Sequence, residues 1–340
     1  MMKAAIFYGA STPMKVEEVE DPKTDSDGII VKVAACGVCH TDLHYMKGTP
    51  TFKKPPLILG HEVSGVVQEV GDKVTHLKEG ERVLIPAVLT CGICPSCAKG
   101  KANICQNMVM VGNHINGGFA ELLSVPAKDV VKLPQDIPLE EGAVISDAFT
   151  TAYHAVKDRG NVRSGETVAV FGCGGVGLNV VQFASAAGAI VIAVDLNSRK
   201  LDLARELGAD YAINPNSADL KKEIRMITRG GVDVSFEAIG IPSVMRSAFD
   251  SVKPGGKAVI LGYSGSDLVI PASRLMFREI EVLGSLGCPP VDYKPVIDLI
   301  SKGRIKLKPL ISHRFSLDQI NEAYDLLEQG KTIRSIVVPR

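Results

Sequence analysis

Net charge is the first thing this sequence lacks: 38 basic residues balance 38 acidic ones. Such a balance leaves no electrostatic footprint for nucleic acid or for an anionic membrane surface. Long apolar runs are missing too, none approaching the roughly 18 unbroken residues of a membrane span. The opening residues, Met1 to Tyr8, are too few and too soon interrupted by Lys3 for a signal peptide. The sequence holds no internal repeat, no low-complexity stretch and no patch of interleaved basic and aromatic residues. What remains is a cytoplasmic globular protein whose 340 residues can form two domains with a sizeable core.

Cysteine, by contrast, is plentiful for such a compartment, at eight residues. Cys91, Cys94, Cys97 and Cys105 crowd into one polar loop, a pattern of metal ligation rather than disulfide bonding where thiols stay reduced. Four thiolates close a tetrahedral zinc shell with no open position, so this site is structural. Iron–sulfur ligation is the alternative, because it also takes four cysteines. Cys36-Gly-Val-Cys39 has the spacing of a further ligand pair. Cys36, however, belongs to the strand-like run from Ile30 and reads as a packed thiol. Cys39 instead opens the polar segment Cys-His-Thr-Asp-Leu-His44 and reads as a ligand.

A His61-Glu62 pair lies between Gly60 and Gly65 after an apolar approach, Pro55 to Leu59. Glycines at these offsets, with Gly71 beyond, suit a backbone that folds tightly around a polar pair. Cys39 and His61 supply two ligands of a second zinc. A catalytic zinc needs a third protein ligand and an open position.

The first part of the chain is β-rich, with short strands predicted at 3–8, 14–19, 28–35, 64–70, 82–85, 118–125 and 130–133. Glycines and prolines punctuate them, as in a compact barrel-like domain. Near residue 150 strands begin to alternate with amphipathic helices, the pattern of a doubly wound parallel sheet. Six strands are expected there, at 166–171, 190–194, 211–213, 232–237, 257–261 and 281–283. From about Pro289 the strand–helix unit stops repeating. Helices are predicted at 295–302 and 317–329 and a last strand at 335–338, in a tail that returns to the first domain. The expected division is therefore 1–150, including the cysteine loop 91–105, then 151–289, then 290–340.

Between the first of those six strands and its helix lie Gly172, Gly174, Gly175, Val176 and Gly177, in the order Gly-x-Gly-Gly-x-Gly. Such glycines allow a tight turn, close approach of a pyrophosphate and close helix–strand packing, with the helix N–H groups facing the phosphates. The second strand ends in Asp195, placed to hold ribose hydroxyls. A carboxylate there accepts from a free 2′-hydroxyl and repels a 2′-phosphate, which favours NAD over NADP; Arg199 works against that preference.

Taken together, Gly60-His-Glu-x2-Gly65-x5-Gly71-x2-Val74, Cys39-His-Thr-Asp42, the four-cysteine loop and the dinucleotide segment resemble the zinc-containing alcohol dehydrogenases. These belong to the medium-chain dehydrogenase/reductase superfamily, and the resemblance spans nearly the whole chain. It implies a GroES-like catalytic domain completed by the tail, a Rossmann domain, and two zincs per subunit. By position, Cys39 and His61 match catalytic zinc ligands and Glu62 the glutamate beside the metal. The third ligand falls in Ser146-Asp147-Ala, where no cysteine is near, so Asp147 is the candidate; its other reading is the N-cap of a following helix. Thr41 matches the hydroxyl that meets the substrate oxygen, and His44 the end of a proton relay. His40 and Arg334 match residues near the cofactor pyrophosphate, and Lys200 a ribose contact. The implied activity is hydride transfer between an alcohol, or its aldehyde or ketone, and NAD, in a homodimer or homotetramer. A same-superfamily reductase acting on another carbonyl or an acyl-thioester-linked substrate is the alternative.

Overall fold

The computed structural model describes residues 1–339, and the chain divides into two compact units. The first comprises Met1–Thr150, Cys288–Ser301 and Leu307–Arg340, and the second Thr151–Gly287 with Lys302–Lys306. That last short segment is tied to the second unit by side-chain amide hydrogen bonds. Lys306 N donates to Gln182 Oε1 at 2.8 Å, and Gln182 Nε2 donates to the Lys306 carbonyl at 3.2 Å.

The first unit is built around the strand Gly28–Val38, buried throughout except at Lys32. One edge pairs antiparallel with Glu62–Val70. The other edge is shared, its first half by Leu122–Pro126 and its end by Arg334–Val338, both antiparallel. Arg334–Val338 in turn pairs in parallel with Ile311–Ser316, so the tail contributes two strands to this sheet. A three-stranded sheet, ordered Lys15–Val19, Met2–Phe7, Leu57–Ile58, adds a second layer of pairing. Leu59, Val63, Phe119, Leu123 and Tyr324 are among the fully or nearly fully buried side chains of one core.

Two departures from the sequence pattern have local causes. The strand predicted from Gly118 begins only at Leu122. Before it, Gly118 N and Phe119 N donate to the carbonyls of Gly60 and Leu59, a crossing that removes them from the ladder. The strand Ile311–Ser316 escaped prediction because Ser312, His313 and Arg314 break its apolar alternation, and only Phe315 is buried.

The second unit holds a six-stranded, wholly parallel sheet in the order Tyr211–Ile213, Ile190–Val194, Thr167–Phe171, Val232–Glu237, Val252–Ile260, Glu281–Gly284. The chain winds outward in both directions from Thr167–Phe171, which puts the switch point of the topology beside that strand. Its central strands are apolar runs because helices cover both faces of such a sheet. One strand begins earlier than its apolar pattern suggests: Val252 already pairs with Val232, ahead of an irregularity that restores register at Lys257.

Candidate metal centres and nucleotide loop

The loop cysteines converge. Cys91 Sγ lies 3.4 Å from Cys105 Sγ and 4.0 Å from Cys97 Sγ, while Cys94 Sγ lies 3.5 Å from Cys97 Sγ and 3.9 Å from Cys105 Sγ. Four sulfurs each about 2.3 Å from a common centre would be about 3.8 Å apart, so the donor set fits a tetrahedral zinc shell. Backbone N–H groups also point at the sulfurs, from Cys94 to Cys91, from Cys91 to Cys105 and from Asn107 to Cys105. Such donors favour thiolates; the Cys94 thiol is drawn down to about 6, chiefly by backbone N–H groups.

The second cluster is assembled from three places in the first unit. Cys39 follows the central strand and is the N-cap of the helix His40–Met46, which the polar sequence of that segment had concealed. His61 directly precedes the strand Glu62–Val70, whose register sets Glu62 against Gly37. Asp147 follows the 3₁₀ turn Ala143–Ser146 and precedes the helix Ala148–His154. Its Oδ2 lies 3.9 Å from Cys39 Sγ and 3.8 Å from His61 Nε2. One ligand atom from each of Cys39, His61, Glu62 and Asp147 falls within 4.8 Å of the others. Cys36, by contrast, is fully buried outside this group, with its sulfur packed near Gly60 and Gly118.

The electrostatics suit a cation. Burial works against the Cys39 thiolate, yet His61 and Arg334 hold the thiol below its usual value. Burial likewise opposes protonation of His61, but Asp42, Cys39 and Asp147 raise it well above an ordinary imidazole. Thiolate, imidazole and carboxylate are together a zinc donor set, and the residues present therefore fit the metal.

His61 is held from behind. Its Nδ1 lies 3.3 Å from Asp42 Oδ1, which also accepts from Gly60 N at 3.3 Å, and Asp42 Oδ2 accepts from the Tyr324 hydroxyl at 3.0 Å. Asp42 is fully buried and Tyr324 nearly so. Tyr324 is itself fixed edge-on against Phe119, with ring centroids 6.1 Å apart. A carboxylate on the far nitrogen fixes the tautomer and the ring plane of a metal-binding histidine.

Glu62 is fully buried, and Arg334 Nη1 lies 3.1 Å from its Oε1. That approach is an ion pair without a directed hydrogen bond, so both carboxylate oxygens keep free acceptor capacity. Burial holds the Glu62 carboxyl well above its usual value, against the opposing charge of Arg334. Burial also disfavours the guanidinium, but Glu62, Cys39 and Asp147 hold its proton firmly. Glycine is required at position 37 for this arrangement, since a Cβ there would lie 2.0 Å from Glu62 Oε2. Gly65 lies inside the strand Glu62–Val70, within the stretch expected as a strand at 64–70.

Thr41 and His44 lie on the helix His40–Met46, both partly exposed, with Thr41 Oγ1 3.6 Å from Cys39 Sγ. Burial and then Lys47 pull His44 below its ordinary value. His40 is exposed on the same helix.

In the second unit the helix Gly175–Ala186 follows the strand Thr167–Phe171, with Gly174 as its N-cap. Glycine offers no side chain to cap the first-turn N–H groups, and a Cβ built at Gly174 meets nothing within 4 Å. A phosphate can approach there. At Gly177 a Cβ would fall 1.7 Å from the Gly172 carbonyl, so only glycine lets helix and loop close up. Asp195 Oδ2 accepts from Cys173 N at 2.7 Å and Oδ1 from Asn197 N at 2.8 Å, fixing the carboxylate beside the loop. Asn197 caps the helix Ser198–Glu206, which carries Arg199 and Lys200. These features fit a dinucleotide.

Residues 25–135 match the alcohol dehydrogenase GroES-like domain, and residues 175–302 match the zinc-binding dehydrogenase domain. An alcohol dehydrogenase of Geobacillus stearothermophilus is 37% identical over 339 residues, covering 99% of both chains. The chain belongs to the zinc-containing alcohol dehydrogenase family. A second dehydrogenase relative, the L-threonine 3-dehydrogenase of Bacillus licheniformis, is 33% identical over 345 residues and also covers 99% of each chain. A zinc-binding dehydrogenase of Sinorhizobium meliloti, solved with NADP bound, has a TM-score of 0.90 at 34% identity, covering 100% of this chain and 99% of that one.

Against this dehydrogenase framework, two groups stand out that spacing alone did not mark. Asp42 was visible only as part of the Cys39-His-Thr-Asp run, and its place one helical turn after Cys39 is the signal for an inward carboxylate. Tyr324 lies in the tail helix Ile320–Glu328, far along the chain, and no local pattern links it to His61.

Proposed function

We propose that this chain is an NAD-dependent alcohol dehydrogenase in which Cys39, His61 and Asp147 hold a catalytic zinc and Cys91, Cys94, Cys97 and Cys105 hold a structural one. The observation that carries the reading is the convergence of Cys39 Sγ, His61 Nε2 and Asp147 Oδ2, with the far side of His61 on buried Asp42. When bound, zinc supplies Lewis-acid polarisation of an alcohol or carbonyl oxygen, and the nicotinamide supplies hydride exchange.

The chain's own residues do the rest. Three protein donors leave room for a substrate oxygen in a four-coordinate site, whereas the four-cysteine loop leaves none. Asp42 keeps Nε2 of His61 aimed inward by holding Nδ1. Thr41 Oγ1, on the turn that follows Cys39, is the group to take the proton of a substrate hydroxyl while giving up its own. His44, kept neutral at neutral pH by burial and by Lys47, is the group that takes the proton towards solvent. Glu62 and Arg334 form a buried pair beside the ligands, with Arg334 Nη1 3.1 Å from Glu62 Oε1. Asp195, with both oxygens anchored by backbone N–H groups, presents a carboxylate to a ribose and disfavours a 2′-phosphate.

The experiment is a panel of primary, secondary, cyclic and polyol substrates, with their aldehydes and ketones, followed at the nicotinamide absorbance with NAD and NADP separately. Turnover of at least one alcohol, faster with NAD, is expected. No turnover of any alcohol by the zinc-loaded protein would remove the reading.

A further inference from the structure

A cavity lined by basic residues lies in the second unit, away from the glycine loop. It encloses about 280 Å³ between the helices Leu220–Thr228, Pro242–Ser251 and Ala272–Phe277. Gly231 and Ser251 line it, and each directly precedes the N-terminal end of a sheet strand. The fingerprint loop follows the C-terminal end of Thr167–Phe171 in the same parallel sheet, so that part of the cavity lies at the opposite sheet edge.

Four cations line the space, Lys221, Arg225, Arg274 and Arg278, against two acids, Asp219 and Asp250. Both acids are already engaged. Asp219 Oδ1 caps its helix through Lys222 N, and Asp250 is paired with Arg246 Nε at 3.0 Å and Arg274 Nε at 3.5 Å. Among the described residues, Lys221, Arg225 and Arg278 have no ion-pair partner. Arg274 Nε is buried and makes no directed hydrogen bond, while the guanidinium is held in place over the Phe249 ring at 5.6 Å. Burial, and then Arg278, Arg246 and Arg225, pull the Arg274 guanidinium down against the opposing effect of Asp250. Like charges gathered around one hollow are relieved by an anion placed in it.

We propose that this cavity binds a small phosphate-bearing anion, with Arg225 and Arg278 as the charged donors and Arg274 as the fixed wall. Guanidinium groups favour phosphate because their planar donors match its oxygens in pairs. The volume is close to the lower limit of small-molecule pockets, which suits a phosphate or a small phosphomonoester rather than a long polyanion. No covalent step is involved; the site is for recognition.

Inorganic phosphate is the probe, titrated calorimetrically into the zinc-loaded full chain saturated with NAD, with chloride balancing ionic strength. Saturating NAD fills the fingerprint loop, so phosphate binding there is blocked. Saturable binding is expected, weakened about tenfold by Arg225→Gln or by Arg278→Gln, as for loss of one charge-assisted hydrogen bond. Both side chains are exposed and lie outside the core, so the variants should fold. The same titration followed by melting should raise the wild-type midpoint by about 2–4 °C at several times the dissociation constant, and less in the variants. Equal phosphate affinity in wild type and both variants would overturn the proposal. So would binding that vanishes once NAD is saturating, or a response that chloride reproduces.

Discussion

Asp42 Oδ1 lies 3.3 Å from His61 Nδ1, and the same carboxylate is tied through Oδ2 to the hydroxyl of Tyr324. The pair joins a helix residue following Cys39 to the residue that directly precedes the strand Glu62–Val70, and both side chains are buried. Removing the carboxylate charge should loosen the imidazole. Asp42→Asn is expected to weaken metal retention about 10–100-fold, with Tyr324→Phe milder because it removes one of the carboxylate's partners. Zinc titration against a chelator measures both; equal affinity in Asp42→Asn and wild type would show that His61 needs no such support.

The Glu62–Arg334 pair makes a separate prediction about stability. Both side chains are almost wholly buried, at 0% and 5% exposure. Arg334→Gln leaves the glutamate without its cation and should cost about 3–5 kcal/mol. Adding Glu62→Gln should recover part of that loss, because an uncharged pair no longer demands compensation. Denaturant unfolding of the two single variants and the double variant tests this. Strict additivity would mean that the two charges do not interact.

The proposed proton relay assigns the acid limb of the pH profile to His44. Burial and Lys47 lower its folded pKa below the ordinary 6.5. Above that pKa the imidazole is neutral and can accept a proton; below it, the ring is already protonated and turnover falls. The acid limb of kcat/KM should therefore have its midpoint below pH 6.5, and His44→Gln should flatten it while lowering the plateau. An unchanged limb in that variant would assign it to another group.

The proposed preference for NAD rests on the charge of Asp195. With one oxygen on Cys173 N and the other on Asn197 N, the carboxylate cannot turn away from an incoming 2′-phosphate. Asp195→Gly should shift the ratio of kcat/KM values towards NADP, aided by Arg199 and Lys200 on the neighbouring helix. Steady-state kinetics with both cofactors decide it, and a ratio unmoved by the substitution would place the discrimination elsewhere.

Much of the architecture was legible because its signals are local. The parallel sheet shows as apolar runs ending at turn residues, and the strands 190–194, 211–213 and 232–237 begin and end where their apolar residues do. The cysteine loop and the glycine loop are readable for the same reason, since ligand spacing and helix-start chemistry lie within a few residues. The helix His40–Met46 was not readable: its cap is a cysteine rather than an oxygen-bearing side chain, and its seven residues are too short for a periodic pattern. Tyr324 and Arg334 lie even further from local reach. Arg334 meets Glu62 because the tail strand Arg334–Val338 joins the edge of Gly28–Val38, with Ser335 opposite Val38, and Tyr324 reaches Asp42 from the tail helix Ile320–Glu328. Tertiary packing of the tail, not sequence spacing, creates those contacts.

In the proposed function Asp147 completes a metal site with Cys39 and His61. Zinc content per chain, measured after exhaustive dialysis of wild type and Asp147→Asn, tests it most directly. The variant should retain the zinc of the four-cysteine loop, lose the other, and lose alcohol oxidation with it. A variant that kept both zincs and full turnover would contradict the account.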